Sequence, residues 1–299
     1  MQYLLILLIL IILLISIISI IYINNQYTAV IIEPRITDLF ELVLDNFYSK
    51  LDNRWNFIIF STNNNNKFLI DLIKNKFYNE KSRTKIINLN TDNLNYDNYS
   101  KILIDKRLYD YIPTEYFLIF QLDSLLSETR YNDIYNYMKH DYIGALCTNN
   151  NDVYNYTVGC GGLSIRKKSK MLKIINDTNY HNQNNHQPED VFFFNYPTIK
   201  KASIEEANDF CSGMIFSENP VGMHQTFRFI SEEELNILEK HFPKIKELAY
   251  KYFNLPIWME YNNIDLIFNN VKIYSDNYSS KIKKLFKDNF EISLNIFYL

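Results

Sequence analysis

The sequence predicts an α/β protein in which helices flank a mostly parallel central sheet. Strand and helix patterns alternate four times over about 100 residues, which is typical of such a sheet. The stretch Tyr116–Phe120 is apolar without alternation and is followed by the polar run Gln121–Ser124. This pattern indicates a central strand that is covered on both faces and opens at its carboxyl end into a loop. Open α/β sheets bind their ligands beyond that end.

The N-terminal segment is a candidate membrane helix. Residues Tyr3 to Ile23 form an apolar run that only Ser16 and Ser19 interrupt. At a rise of about 1.5 Å per residue, a run of this length spans the roughly 30 Å core of a bilayer. The run lacks the basic flank and small-residue cleavage site of a signal peptide. We therefore expect an uncleaved, single-pass signal-anchor helix and stem over residues 1–25, whose orientation the flanking charges leave open.

A main domain is expected over residues 26–230, with the elements in alternating order. Helical spacing of apolar residues predicts helices, and short β-branched or aromatic runs predict strands. Before the central strand, the predicted strands are Thr28–Ile32, Trp55–Phe60 and Thr84–Leu89, and the predicted helices are Ile36–Tyr48, Lys67–Phe77 and Asn98–Tyr111.

After the central strand the pattern becomes less regular. We expect helices over Arg130–Lys139 and Lys167–Asn176, a strand edge and turn at His140–Ala145, and a polar loop over Tyr180–Pro188. Residues 231–299 read as a C-terminal extension of mixed helix and strand signals. It begins with helices, because Ser231 and Glu234 have the spacing of a capping box.

Charge and cysteine content exclude some functions. The net charge is −3 and the pI is about 6.0, with acidic and basic residues interspersed. A nucleic-acid partner is not expected, since such proteins usually carry a basic face. Cys147, Cys160 and Cys211 do not have the spacing of a metal site, and one disulfide with one thiol left over is open to them.

Asp123 is the first candidate site residue, because it follows the central strand directly. A carboxylate at such a strand end can hold Mg²⁺ or Mn²⁺, which take oxygen ligands from protein and substrate phosphates. The alternative is that Asp123 only caps the following turn.

The chain has 6 glycines, and Gly159, Gly161 and Gly162 all fall within Val158–Arg166. Such clustering indicates either unusual backbone angles or a ligand that lies against the main chain. A nucleotide or sugar could approach there, and a tight turn between a strand and a helix is the alternative. The spacing fits neither a Walker nor a Rossmann motif.

Two further polar positions precede or follow apolar segments. Glu189 and Asp190 open the apolar stretch Val191–Phe194. They either favour a helix N-terminus or supply a catalytic base. His224 follows Gly222 by two residues, which suggests a turn that presents the imidazole, although a structural histidine is the alternative.

Taken in order, these blocks resemble a family described as a domain of unknown function, which is itself similar to the GT-A glycosyltransferases. The resemblance covers about Thr28 to Phe229. It implies a GT-A-like fold and transfer of a sugar from a nucleotide-sugar donor to a hydroxyl of a glycan, protein or lipid acceptor. The blocks that carry it are Gln121–Ser124, Asp141–Gly144, Gly159–Arg166, Glu189–Phe192 and Gly222–His224.

The resemblance also implies roles for individual residues. Asp123 and His224 would hold Mn²⁺ or Mg²⁺, and Asp190 and Glu189 would be the catalytic acidic pair. The residues implied in donor binding are Gln121, Asp123, Ser124, Gly161, Gly162 and Arg166. Gln121 departs from the family pattern, since it replaces the first acid of an Asp-x-Asp motif, and Cys160 stands where asparagine is expected.

The chemistry of glycosyl transfer needs these parts: a cation for the leaving diphosphate and a base for the acceptor hydroxyl. A second reading is a catalytically inactive, membrane-anchored binding or envelope protein that keeps the fold, because fold does not fix function. For the enzyme, we expect a domain that is lumenal, as in the endoplasmic reticulum or Golgi, or associated with a viral membrane.

Overall fold

The computed structural model describes residues 26–148 and 156–255, together with Ile11. Apart from Ile11, the membrane helix predicted over Tyr3–Ile23 lies outside the described residues, as does the part of the C-terminal extension beyond Leu255. Within the part of the chain that is described, no helix is both long and apolar enough to cross a bilayer.

A six-stranded sheet forms the centre of the molecule, in the order β3-β2-β1-β4-β7-β6. Its strands are β1 (Tyr27–Ile32), β2 (Trp55–Ser61), β3 (Thr84–Asn88), β4 (Tyr116–Phe120), β6 (Tyr142–Thr148) and β7 (Tyr156–Lys167). Strands β1 to β4 pair in parallel, whereas β7 is antiparallel to both β4 and β6. The predicted mostly parallel α/β sheet is confirmed.

The sheet separates two apolar cores, because successive side chains of a strand point to opposite faces. In β1, Ala29 and Ile31 belong to one core, and Val30 and Ile32 belong to the other. Strand β4 divides in the same way, which explains its unbroken apolar pattern. The predicted cover on both faces is confirmed.

Helices cover both faces of the sheet. On the first face lie α1 (Leu39–Lys50), α2 (Asn66–Lys76), α8 (Ile204–Phe210), α9 (Glu232–Glu239) and α10 (Ile245–Phe253). On the second face lie α3 (Tyr96–Leu103), α4 (Lys106–Tyr111), α5 (Lys168–Asn176), α6 (Thr178–Asn184) and α7 (Glu189–Phe194). The capping box of Ser231 and Glu234 is present at the start of α9, as predicted.

A second, three-stranded sheet lies at the carboxyl end of β4. It consists of β5 (Ser124–Leu126), β8 (Cys211–Ser212) and β9 (Gly222–His224), with β9 in the middle. Strands β5 and β9 are antiparallel, and their register sets Ser124 opposite His224. This small sheet brings the late histidine to the end of the central strand.

Four predicted elements differ from the structure. The helix predicted over Asn98–Tyr111 is two helices, because Asp105 accepts a hydrogen bond from the Arg107 backbone nitrogen and starts a new one. The helix predicted over Arg130–Lys139 is a 3₁₀ helix over Tyr131–Tyr137. The strand edge at His140–Ala145 is the beginning of the longer strand β6.

The loop predicted over Tyr180–Pro188 is largely helix α6. Asp177 caps that helix by accepting from the Tyr180 backbone nitrogen at 3.2 Å, and the Tyr180 hydroxyl donates to the Phe192 carbonyl at 2.6 Å. The prediction was wrong because this local cap and the tertiary contact with Phe192 outweigh a sequence rich in asparagine and glutamine.

Candidate functional site

Asp123 lies at the carboxyl end of β4, in the turn that leads into β5. The Gln225 backbone nitrogen donates to the Asp123 carbonyl at 2.8 Å, and the Ser124 hydroxyl donates to the Gly162 carbonyl at 3.2 Å. These bonds fix the turn against both β9 and β7. As a result, Asp123 is buried, with 7% of its side-chain surface exposed.

His224 contacts Asp123. Its Nε2 lies 3.4 Å from Asp123 Oδ1 and 3.2 Å from Gln121 Oε1. Gln121 in turn donates from its amide to the Tyr99 hydroxyl at 2.8 Å. The structure therefore brings together three predicted site residues, Gln121, Asp123 and His224, which we call the Asp123 cluster.

The Asp123 carboxylate is paired with His224, but one of its oxygens makes no hydrogen bond. Its buried Oδ1 has no hydrogen-bond partner among the described residues. Burial acts to raise the pKa of Asp123, but the charge and contact of His224, followed by the charge of Arg228, lower it below its ordinary value. The group is therefore an anion at neutral pH, and buried anions are normally paired or bound to a metal.

Arg166 and Glu189 form the centre of a second cluster. Arg166 Nη1 lies 2.6 Å from Glu189 Oε2, and Nη2 lies 3.1 Å from Oε1, so the pair is bidentate. Arg166 is fully buried and also donates from Nε to the Ser164 hydroxyl at 2.9 Å. Its guanidinium lies 5.0 Å from the centre of the Tyr142 ring.

This ion pair remains charged. Burial acts to lower the pKa of Arg166, but the charge of Glu189 raises it above its ordinary value. Burial raises the pKa of the Glu189 carboxyl, and the Arg166 charge opposes that rise. Because arginine does not lose its proton in proteins, two short contacts to it keep Glu189 ionised at neutral pH.

Asp190 is more exposed than Glu189 and faces the glycines of β7. Its Oδ2 accepts a hydrogen bond from the Gly161 backbone nitrogen at 3.2 Å, and its Oδ1 accepts from the Val191 nitrogen at 2.8 Å. The side chain is half-buried. Two adjacent carboxylates thus have different surroundings, since Glu189 is neutralised by arginine and Asp190 is held by backbone N–H groups.

Gly161 and Gly162 lie in β7 between the two clusters, and not in the turn that was the alternative reading. A Cβ on Gly162 would lie 2.0 Å from His224 Nε2, whereas one on Gly161 would lie 2.3 Å from Glu189 Oε1. The close approach that the glycines permit is therefore made by side chains of this chain. Gly161 borders the Arg166–Glu189 cluster and Gly162 borders the Asp123 cluster. Because the Cα atoms of neighbouring residues are about 3.8 Å apart, only this dipeptide separates the two clusters.

Two arginines that the sequence analysis did not select act on Asp123. Arg35 follows β1 and is held by Glu33, with both Nε–Oε1 and Nη2–Oε2 at 2.7 Å. Burial acts to lower the pKa of Arg35, but Glu33 and then the charges of Tyr252 and Asp123 raise it. Arg228 donates to the Gln225 side chain at 2.7 Å, and its charge lowers the Asp123 pKa.

The positions of Arg35 and Arg228 in the sequence could have identified them as candidate site residues. Arg35 follows a parallel strand next to β4, and Arg228 follows His224 by four residues. Tyr252 had no such signal, because it comes from α10 in the C-terminal extension. Burial raises the pKa of Tyr252, and the nearby charge of Asp123 raises it further.

The cysteines beside the site are now assigned. Cys147 of β6 and Cys160 of β7 form a disulfide, with their Cα atoms 5.9 Å apart, and Cys211 is a buried free thiol. Burial raises the pKa of that thiol above its ordinary value. The disulfide directly precedes Gly161, so it ties the glycine dipeptide to the neighbouring strand.

Comparisons with known proteins give a family match and several structural similarities. Residues 83–224 match the model of a family described as a protein of unknown function (DUF5672). That span ends at His224 and contains every site residue predicted from the sequence. No curated protein matches the chain.

Solved structures resemble the chain at low identity. HddC from Yersinia pseudotuberculosis complexed with GMP-PN is 16% identical, with 72% of this chain and 99% of that one covered and a TM-score of 0.41. The mannosyltransferase PcManGT from Pyrobaculum calidifontis in complex with GDP-Man and Mn²⁺ is 11% identical, with 50% of this chain and 47% of that one covered and a TM-score of 0.38. The apo-form glycosyltransferase GlyE from Streptococcus pneumoniae TIGR4 is 9% identical, with 77% of this chain and 63% of that one covered and a TM-score of 0.45. Identities and TM-scores this low do not show what this chain binds.

Proposed function

We propose that this chain is a glycosyltransferase that moves a sugar from a nucleotide-sugar donor to an acceptor hydroxyl with the help of a divalent cation. The observation that carries the proposal is the buried, ionised Asp123 at the end of β4, whose Oδ1 lies 3.4 Å from His224 Nε2 but has no hydrogen-bond partner among the described residues. It lies beside His224 and within the influence of two arginines.

The residues present fit a divalent cation. His224 Nε2 lies 3.4 Å from Asp123 Oδ1 and 3.2 Å from Gln121 Oε1, and adjacent ligands of an octahedral ion at about 2.1 Å lie roughly 3.0 Å apart. The described residues contain no group of three or more His, Cys, Asp or Glu side chains that could hold a metal. Gln121, substrate phosphates and water would therefore complete the ligand set.

Binding of the diphosphate and removal of the acceptor proton would be carried out by different residues of the chain. When bound, the cation would neutralise the leaving diphosphate as a Lewis acid. Arg35 and Arg228 would hold the diphosphate, since guanidinium groups bind phosphate oxygens well. As the bond from the sugar C1 to the diphosphate breaks and the bond to the acceptor oxygen forms, Asp190 would take the acceptor proton.

Glu189 would act indirectly, by positioning Asp190. Because both of its oxygens contact Arg166, it would fix the start of α7 and so position Asp190 against Gly161. We therefore assign Glu189 and Arg166 a positioning role beside the glycines, with Ser124 and Gly162 on the donor side.

A second candidate function is a binding protein without catalysis. Gln121 favours it, because an amide stands in place of the first acid and is already engaged by Tyr99 and His224. Retained nucleotide binding without any product, tested over a panel of nucleotide sugars, would select this reading.

The experiment that tests the proposed function is a thermal-shift titration of nucleoside diphosphates with and without Mn²⁺. Binding to the folded state stabilises it by about 2.7 kcal/mol at a hundredfold excess over Kd. We expect stabilisation that requires both nucleotide and metal in the wild type. Asp71→Asn, an exposed carboxylate on α2, serves as the matched control for Asp123→Asn. No shift with any nucleotide would overturn the proposal.

The proposed enzyme is membrane-anchored through the apolar run Tyr3–Ile23. Deletion of residues 1–25 leaves β1 intact, since β1 begins at Tyr27 and the Gln26 nitrogen donates to the Arg54 carbonyl at 2.9 Å. We expect the full chain in the membrane fraction after alkaline extraction and the truncated chain in the supernatant. A truncated chain that stays with the membrane would point to a second membrane element.

A further inference from the structure

A separate cavity lies between the corner of α3 and α4 and the corner of α5 and α6. Its volume is about 470 Å³, and it shares no lining residue with the Asp123 cluster or the Arg166–Glu189 cluster. The buried side chains of Ile104 and Ile175 line it, and its other lining residues are polar or charged. Small-molecule sites typically measure about 300–1,000 Å³, so the cavity has the volume of such a site.

The charged groups of this cavity are predominantly positive. Lys101 and Lys106 line it, and neither ammonium group forms an ion pair or hydrogen bond with a described residue. Asp105 also lines it, but its carboxylate is engaged by the Arg107 side chain and by the Arg107 backbone nitrogen. Both lysines are exposed and Lys106 also acts on Asp105, and the lining as a whole remains net positive, which favours an anionic ligand.

The wall that α6 contributes has unused hydrogen-bonding capacity. His181 Nδ1 and Asn185 Oδ1 are buried atoms without a hydrogen-bond partner among the described residues. The His181 ring is held edge-on against Phe192, with the ring centres 5.8 Å apart. His181 and Asn185 line the cavity with half-buried side chains, so an imidazole and an amide are available to hydrogen-bond the polar part of a ligand.

We propose that this cavity binds a phosphorylated small molecule of about the size of a sugar phosphate. The phosphate lies between Lys101 and Lys106, because ammonium groups bind phosphate oxygens as point charges. The hydroxyl-bearing part lies over the isoleucines and against α6, where an imidazole and an amide supply hydrogen bonds. A cavity of this volume is too large for a phosphate ion alone. This site does not depend on the proposed glycosyltransferase function.

The test is calorimetric titration of the purified full chain, in EDTA, with glucose 6-phosphate, inorganic phosphate and glucose. We expect saturable binding of glucose 6-phosphate, weaker binding of phosphate and none of glucose. The double variant Lys101→Gln/Lys106→Gln is expected to raise the Kd for glucose 6-phosphate about tenfold or more, since each charge-assisted contact is a strong one. Lys74→Gln/Lys81→Gln is the matched control, because it removes two exposed charges that have no described partner elsewhere.

Two further variants locate the site. Asn185→Ala is expected to weaken glucose 6-phosphate severalfold and to leave inorganic phosphate unchanged, since Asn185 is assigned to the hydroxyl-bearing part. Asp123→Asn is expected to bind glucose 6-phosphate as the wild type does. The proposal is overturned if the wild type does not bind the ester, if both lysine pairs give the same loss, or if Asp123→Asn abolishes binding.

Discussion

Gly162 and His224 pack so closely that a methyl group on the glycine would lie 2.0 Å from the imidazole Nε2. Glycine is therefore required in β7 by a side chain that comes from β9, more than 60 residues later in the sequence. The position of the imidazole that contacts Asp123 therefore depends on the absence of a side chain at Gly162 as well as on strand β9.

Gly162→Ala is expected to displace His224 and to abolish Mn²⁺-dependent nucleotide binding. Overpacking of this kind also costs about 1–3 kcal/mol of stability. Gly161→Ala is the informative comparison, because its Cβ would meet Glu189 Oε1 at 2.3 Å instead. Titration calorimetry on variants shown by circular dichroism to be folded measures both. Equal loss of nucleotide binding in the two variants would contradict the separation of the clusters.

Asp123→Asn is expected to abolish metal-dependent binding of a nucleoside diphosphate while the fold remains. The substitution is nearly isosteric but removes the charge that a hard cation needs. Gln121→Asp is expected to tighten metal binding, since it restores an acid at a position whose present side chain contacts His224. Unchanged metal-dependent affinity in Asp123→Asn would place the metal elsewhere.

The sequence predicted the central strand and Asp123 because the two are contiguous and their pattern is local. His224 reaches Asp123 through β5 and β9, strands of three residues each that are too short to recognise as a pattern. The partnership of Arg166 with Glu189 joins side chains 23 residues apart through tertiary packing. Helix α6 was missed for a related reason, since the contact of Tyr180 with Phe192 that stabilises it is also tertiary.

Glu189→Gln is expected to destabilise the protein by about 3–5 kcal/mol, because it leaves the fully buried Arg166 without a compensating charge. Glu218→Gln, at an exposed position, is the matched control and is expected to change stability little. Denaturant unfolding measures the free energy of each variant. A loss below about 1 kcal/mol for Glu189→Gln would show that the ion pair does not hold α7 in place.

Asp190→Asn distinguishes a catalytic role from a structural one. Asp190 is half-buried, lies at the N-terminus of α7 and accepts hydrogen bonds from the Gly161 nitrogen at Oδ2 and from the Val191 nitrogen at Oδ1. An asparagine oxygen can accept one of these two bonds, and the loss of the other costs about 0.5–1.5 kcal/mol, which a folded domain tolerates. The fold and donor binding are therefore expected to persist.

Loss of a general base typically costs about 10²- to 10⁴-fold, so kcat of Asp190→Asn is expected to fall by that order with little change in donor affinity. Transferase assays give kcat, and calorimetry gives the affinity for the nucleotide. Full activity would refute the assignment of Asp190 as the base. Loss of nucleotide binding would instead place Asp190 on the donor side of the glycine dipeptide, together with Gly162 and His224.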